Sequence, residues 1–287
     1  MTKIIDLLND VSGNTFFSLE YFPPKTEQGD EKLRQKWSRV STLSPLFVDM
    51  TWGAGGTTSD KTVALCRQGQ QEHGLEMNMH LTCTNMPADK VDTALQAAID
   101  MGVRNIVALR GDAPKNVENW VACEDGFSCA LDLVRHIRAK HGDHFGISVA
   151  GYPEGHPSVI KPLEVSEDEL TETEKHRVVE LAEEDGTVKK YVCRDDDFAK
   201  EIAYLKQKVD AGADFIITQL FYDIAVYVDF VRQCREAGIE CPILPGVMPI
   251  LSKGGFARMT RFCKTRVPVV LPLSFCFNWN NTVSYLQ

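Results

Sequence analysis

Polar residues recur at the ends of short apolar runs, and these are the groups through which the chain could do chemistry: Glu20, Thr51, His80, Thr82, Arg110, Asp112, Tyr152, His156 and Gln219. Glu20 sits in Ser18-Leu19-Glu20-Tyr21-Phe22-Pro23-Pro24-Lys25. A carboxyl among Leu, Tyr and Phe loses solvation, which favours its neutral form, the state a general acid needs near neutral pH. An internal ion pair with Lys25 accounts for the residue equally well. Asp112 follows Leu109-Arg110-Gly111. The glycine lets the backbone approach a ligand closely, and the carboxylate could steady a developing cation. The plain alternative is a helix N-cap. Gln219, after Ile216-Ile217-Thr218, offers an amide that can pair with a heterocycle or close a polar rim of strands. His80 and His156 lack H-E-x-x-H spacing, and a lone histidine more often makes a structural hydrogen bond than binds a metal. The glycine-rich run Gly53-Ala54-Gly55-Gly56-Thr57-Thr58 suggests a phosphate-cradling turn but matches neither the Rossmann nor the P-loop pattern.

The elements that position these residues repeat regularly. Apolar runs at 16–22, 47–53, 77–83, 105–111, 146–153, 214–222 and 242–249 read as strands buried on both faces. Helix-period segments at 89–101, 130–140 and 225–237 lie between them, and Gly102, Gly212 and Gly238 stand where helices should turn back into strands. From Glu20 through Thr51, Thr82, Asp112, Tyr152 and Gln219 to Met248 the steps are 31, 31, 30, 40, 67 and 29 residues. A period near 30 is one βα unit, and seven in succession predict an α/β fold, a (β/α)8 TIM-type barrel, with a doubly wound open sheet as the alternative.

Charge locates the irregular step. The chain has 287 residues, 44% hydrophobic and 25% charged, with a net charge of −9. Residues 161–197 carry 13 acids and 6 bases, so −7 of that charge lies in 37 residues, and removing them shortens the step of 67 to 30. The stretch reads as an acidic surface insertion, partly disordered, with a Ser166-x-x-Glu169 start able to cap a short helix. The remaining 250 residues suit a single barrel domain. An acidic chain does not suit nucleic acid, and no window approaches a membrane span. Nine scattered cysteines without a C-x-x-C pair argue against structural zinc. With no secretory signal at Met1-Thr2-Lys3-Ile4, they predict reduced thiols and a cytoplasmic protein that binds no metal.

The strand ends resemble the catalytic domain of the methylenetetrahydrofolate reductase family. The resemblance rests on Ser18-Leu-Glu-Tyr-Phe-Pro-Pro-Lys-Thr26, Thr51-Trp-Gly-Ala54, His80-Leu-Thr-Cys83 and Ala108-Leu-Arg-Gly-Asp112. It continues through Tyr152-Pro-Glu-Gly-His-Pro157, Leu205-Lys-Gln-Lys208, Ile216-Ile-Thr-Gln-Leu-Phe221 and Pro245-Gly-Val-Met-Pro-Ile250, and it runs from about 16 to 268. It implies FAD-dependent reduction of 5,10-methylenetetrahydrofolate by NADPH or NADH, in ping-pong order. By that resemblance Glu20 is the general acid and Asp112 stabilises the cationic folate and tunes the flavin. Glu20, Asp112 and Gln219 contact folate. Thr51, His80, Arg110, Gly111, Asp112, Ala150, Tyr152, His156 and Lys208 hold FAD, with Arg110 and Lys208 suited to its diphosphate. The expected partners are folate and the nicotinamide, with a homo-oligomer among the expected states.

Two departures stand against the family pattern. A family arginine before Lys208 is Gln207 here, and residues 269–287 do not follow the family's late helix and eighth strand. No regulatory domain is recognisable. A seven-strand barrel leaves two unpaired edges, and Pro268 and Pro272 disfavour a makeshift closing strand. The competing expectations are therefore a truncated, non-catalytic barrel and a flavin-independent pterin-binding barrel enzyme.

Overall fold

The computed structural model describes residues 2–11, 13–53, 59–111, 122–182 and 187–268. Asp112, the glycine-rich run at 54–58 and the tail from 269 lie outside the described residues. Two compact units are present, residues 1–150 with 207–216, and residues 151–206 with 217–287.

The first unit is built on β1 (Leu19–Tyr21), β2 (Val48–Met50), β3 (Met77–Thr82), β4 (Asn105–Leu109) and β5 (Gly146–Gly151). They pair in parallel and in chain order, with Asp49 opposite both Glu20 and Asn78, and Asn105 opposite both Asn78 and Gly146. The helices are α1 (Ile4–Asp10), α2 (Glu27–Val40), α3 (Ser59–His73), α4 (Ala88–Asp100) and α5 (Ala130–His141). The Thr26 hydroxyl caps α2 by accepting from the Gly29 N–H at 3.1 Å. Helix α4 buries Val91, Ala94, Leu95 and Ala98, the stripe that a 3.6-residue period demands.

Alternation along β3 divides the sheet chemically. Met77, Met79 and Leu81 are fully buried, and Met77 lies against α3, where a Cβ on Gly69 would stand 2.6 Å from its sulfur. Asn78, His80 and Thr82 share the opposite face, because successive strand residues point to opposite sides. Glu20, the pair Asp49 and Thr51, and the pair Ser148 and Ala150 occupy the matching positions of their strands. One face is therefore apolar and helix-covered, and the other collects polar groups.

Helix α7 (Asp195–Asp210) and β9 (Phe215–Leu220) run from one unit into the other. At the start of β9, the Asp214 N–H donates to the Ile147 carbonyl at 2.7 Å and its carboxylate accepts from the Ile147 N–H at 2.6 Å. The Arg138 guanidinium donates to both the Gly212 carbonyl and Asp214, at 2.7 and 2.8 Å, and so locks that turn.

In the second unit β10 (Ile243–Gly246) follows α8 (Ile224–Glu236) and precedes α9 (Lys253–Cys263). The Gly246 N–H donates to Thr218 Oγ1 at 2.9 Å, and a Cβ there would stand 2.1 Å from the Thr218 carbonyl oxygen, so only glycine fits. The strand order β1-β2-β3-β4-β5-β9-β10 is sequential, as in a TIM-type barrel, without the reversal of a doubly wound sheet among the described residues. The fold is α/β, with seven barrel strands among the described residues. Gly102, Gly212 and Gly238 all adopt the positive φ expected at helix ends.

The acidic stretch corrects the expectation of partial disorder over its described part. It folds as a three-stranded antiparallel sheet of β6 (Lys161–Pro162), β7 (Val179–Ala182) and β8 (Val188–Val192), with β8 in the centre. Leu170, Val178 and Val192 form its small apolar core. The capping box at Ser166 and Glu169 is present, and a second at Thr171 and Glu174 opens α6 (Glu172–His176). The sequence reading found the first of these caps but not the second, and both turn acids into local hydrogen-bond acceptors. Among the described residues no helix is long and apolar enough to cross a membrane.

Candidate active site

The polar face of the first unit brings together most of the residues singled out above. Glu20, in mid-β1, is solvent-accessible and makes no ion pair among the described residues, so the Lys25 alternative is not adopted. Crowding by protein raises its pKa, the His80 imidazole pulls it down, and the Asp49 carboxylate pushes it up again, with a net upward shift. An exposed carboxyl that still resists ionisation can be reached by a substrate and can give it a proton.

Asp49, Asn78 and Ser148 were not among the sequence candidates, yet they form the hydrogen-bonded floor beside Glu20. The Asn78 amide donates to Asp49 Oδ1 at 2.8 Å and to Ser148 Oγ at 3.3 Å, while Ser148 Oγ donates to the Ile106 carbonyl at 3.4 Å. His80 Nε2 lies 3.5 Å from Asp49 Oδ1. Burial works against a charged imidazole here, but Asp49 and Glu20 outweigh it and hold the His80 pKa above its ordinary value. The available signal was polar residues two apart inside apolar runs, at Asp49 and Thr51 and at Asn78, His80 and Thr82.

Thr51 and Thr82 are buried at strand ends, and neither Oγ1 has a hydrogen-bond partner among the described residues. Buried hydroxyls without partners are costly unless a ligand completes them. Beside Thr82, Gly111 adopts φ +88°, and a Cβ there would stand 2.9 Å from the Thr82 Cβ. Backbone and hydroxyl thus meet without an intervening side chain. Arg110 is exposed immediately before this turn. Lys208 is 4% exposed and donates from Nζ to the Ala150 carbonyl at 2.9 Å, tying α7 to the end of β5. These open hydroxyls, the stripped glycine and the nearby cations fit a polar, phosphate-bearing cofactor such as FAD.

Tyr152, His156 and Gln219 belong to the second unit. The Tyr152 and His156 rings meet edge-on, centroids 4.9 Å apart and planes at 74°. The Ser158 N–H donates to His156 Nδ1 at 3.2 Å, which makes Nδ1 the acceptor and leaves the neutral ring's proton on Nε2. Gln219 Oε1 accepts from the Leu220 N–H at 3.1 Å.

Glu154, between those two rings in sequence, carried no role in the sequence reading, and it is 3% exposed. Burial pushes its carboxyl up to about 8, against the pull of the Arg266 backbone N–H, which donates to Oε1 at 3.3 Å. The Arg266 side chain is itself spread over three segments. Nε donates to Asp223 at 2.8 Å, and Nη1 donates to the carbonyls of Lys175 and Val178 at 3.2 and 2.9 Å. Lys264 Nζ grips the Pro157 and Ile160 carbonyls at 2.8 and 2.5 Å.

Comparison with known proteins agrees with this geometry. The family model for methylenetetrahydrofolate reductase matches residues 3–275. The chain is 47% identical over 271 residues to methylenetetrahydrofolate reductase (NADH) 1 of Arabidopsis thaliana, covering 94% of this chain and 41% of the relative. It is 48% identical to methylenetetrahydrofolate reductase (NADH) 1 of Zea mays, with 93% and 40% covered. It is 40% identical to methylenetetrahydrofolate reductase 2 of Saccharomyces cerevisiae, with 93% and 39% covered. The chain therefore spans about two fifths of the length of these relatives. Among solved structures, an uncharacterized Clostridium thermocellum protein that binds two copies of 5-methyl-5,6,7,8-tetrahydrofolic acid superposes with a TM-score of 0.55. It is 12% identical and covers 95% of this chain and 80% of that one, which bears on the fold alone.

Proposed function

The chain belongs to the methylenetetrahydrofolate reductase family, and from that premise we propose that it is the catalytic barrel of an oxidoreductase that reduces 5,10-methylenetetrahydrofolate to 5-methyltetrahydrofolate with NADH or NADPH. The observation that carries the reading is Glu20, a reachable carboxyl whose surroundings raise its pKa. In that role it protonates the folate amine nitrogen as the five-membered ring opens to an iminium ion. The iminium carbon accepts the hydride and the nitrogen accepts this proton, so an acid whose pKa is raised toward neutrality assists ring opening.

Thr51, His80, Thr82, Arg110, Gly111, Ala150, Tyr152, His156 and Lys208 are the residues of this chain that would hold FAD. When bound, FAD supplies the hydride relay from nicotinamide to folate, which gives the ping-pong order. The Thr51 and Thr82 hydroxyls would complete their hydrogen bonds on it. Arg110 brings a positive charge to the Gly111 turn, where no side chain blocks approach. Gln219 would orient the pterin edge, and Asp112, by family resemblance, would face the folate cation.

The test is a visible spectrum of the purified chain, followed by anaerobic titration with NADH and NADPH. A yellow protein bleached by one nicotinamide and recoloured by methylenetetrahydrofolate is the expected result. A colourless protein that takes up no FAD, or one that binds pterin without flavin, overturns the assignment.

A further inference from the structure

A side chain as buried as that of Asp49, 5% exposed, cannot hold a charge without a partner, because a lone carboxylate away from water costs several kcal/mol. Its ion-pair partner among the described residues is His80, 3.5 Å away. Asp49 is not free to turn from it. The Asn78 amide pins Oδ1 at 2.8 Å, and the same amide is held at 3.3 Å by Ser148. At 3.5 Å the pair is an ion contact and not a closed hydrogen bond, but Nε2 has no other partner among the described residues, so Asp49 Oδ1 is the acceptor available to an Nε2 proton. With Nε2 turned toward Asp49, Nδ1 is the ring atom left to face other groups.

We propose that Asp49 is a positioning residue for the reductase site: acting through Nε2, it fixes the orientation and tautomer of His80 and favours its protonated form, so that the ring stands between Asp49 and the Glu20 carboxyl group. The inference rests on the functional reading above for its catalytic consequence, but the Asp49–His80 coupling itself belongs to the fold. The charged or titratable groups acting on the pair come from three elements. Glu20 faces it from β1 and Asp49 from β2, while the Cys66 thiol of α3, pushed up first by burial and then by the Asp49 charge, stays neutral. A cation at His80 also lowers the proton affinity of Glu20, so the row keeps the general acid from becoming too weak to give up its proton.

The test uses the whole chain with ring-15N-labelled histidine, the His80 signal being assigned by its loss in His80→Gln. In Asp49→Asn, which keeps the amide-sized shape and the acceptor for Asn78, the His80 midpoint should fall by about one pH unit or more, a tenfold loss of proton affinity. An unchanged midpoint overturns the proposal, and so does a Nδ1–H tautomer in the unsubstituted protein. The second readout is a double-mutant cycle on the folate half-reaction. Asp49→Asn should slow it at least tenfold alone and have less than twofold effect in a His80→Gln background. A full Asp49 effect without His80 refutes action through the imidazole. Should the Asn variant not fold, Asn78→Ala loosens Asp49 instead and should lower the His80 midpoint in the same direction; no movement there also overturns the proposal. The titration needs neither flavin nor folate. A chain that fails as a reductase yet shows the His80 shift would therefore refute the function and leave the coupling standing.

Discussion

Replacing the buried Glu154 by glutamine should stabilise the protein, and by an amount that grows with pH. Glu154 is 3% exposed and its pKa in the folded chain is about 8, against an ordinary value of 4.5. Between those two values the folded state holds a proton that the unfolded chain has released. Stability from this group is therefore fully present below pH ~4.5, declines as pH rises, and levels off above about 8. At 1.36 kcal/mol per unit, the excess ionisation of the unfolded over the folded form costs about 1.4 kcal/mol at pH 5.5 and about 4.6 kcal/mol at pH 8.5.

Glutamine never ionises, so Glu154→Gln removes this penalty at every pH. It also carries a fixed cost for seating an amide near Asp223 and the Arg266 N–H, which does not depend on pH. The difference between two pH values isolates the titration: the variant's gain should be about 3 kcal/mol larger at pH 8.5 than at pH 5.5. At roughly 2 °C per kcal/mol for a chain of this size, that is a relative rise of about 6 °C in the melting midpoint. Paired thermal or urea unfolding of the two proteins across pH 5.5–8.5 gives the measurement. A stability difference that stays flat across this range would falsify the claim that Glu154 is buried in its protonated form, whatever the sign of the difference.

Glu20→Gln should leave nicotinamide-driven flavin bleaching within about twofold and slow folate turnover by 10²–10⁴-fold, the ordinary span for loss of a general acid; equal loss in both half-reactions, measured by stopped flow, contradicts the role. Gly111→Ala places a Cβ 2.9 Å from Thr82 on a backbone of φ +88° and should cost about 2 kcal/mol of stability and weaken FAD retention. Full flavin content after gel filtration argues against that close approach. Arg177→Met removes a guanidinium 1% exposed from Asp195 and Asp229, and urea unfolding should show a loss of about 3–5 kcal/mol. A loss below 1 kcal/mol shows that the two carboxylates do not depend on it.

What the sequence made legible follows from how local each signal is. The seven barrel strands could be read because each is a short apolar run ending in glycine, proline or a polar residue. Each observed strand falls inside its predicted run, as Leu19–Tyr21 does within 16–22. The candidate residues at strand ends were found for the same reason, since a period near 30 fixes where strands stop. Asp49 escaped because one acid inside Phe47-Val48-Asp49-Met50 reads as a blemish in a buried strand. Its meaning depends on Asn78, 29 residues away, and on Ser148, a further 70 residues beyond Asn78. Glu154 escaped for a stronger version of that reason, because the N–H it accepts lies 112 residues later. Periodicity reports which face a residue takes, but not which distant partner completes it.

The acidic stretch shows how a charge count can suggest the wrong physics. Counted alone, an excess of acids over bases reads as a solvated arm that can be removed to restore the strand spacing. In the fold, Glu169 and Glu174 are acceptors for backbone N–H groups, and Asp195 is one for side chains. Glu174 is 2% exposed; burial pulls its pKa upward, but the N–H groups of Asp195 and Thr171, together with Arg194, outweigh it and hold the pKa below the ordinary range. Asp195 is held low in the same sense, against burial, by Thr171, Arg177 and Thr173. Arg177 carries the connection further, lying over the Phe198 ring at 4.1 Å and reaching Asp229 of α8 at 3.7 Å. Arg266, just after α9, hydrogen-bonds to the stretch at the Lys175 and Val178 carbonyls. Cutting out residues 161–197 would restore the period of 30 and strand Asp229 and Arg266 without these partners. The stretch is an insertion by spacing and a brace by contact, and its charge is the means by which it is held.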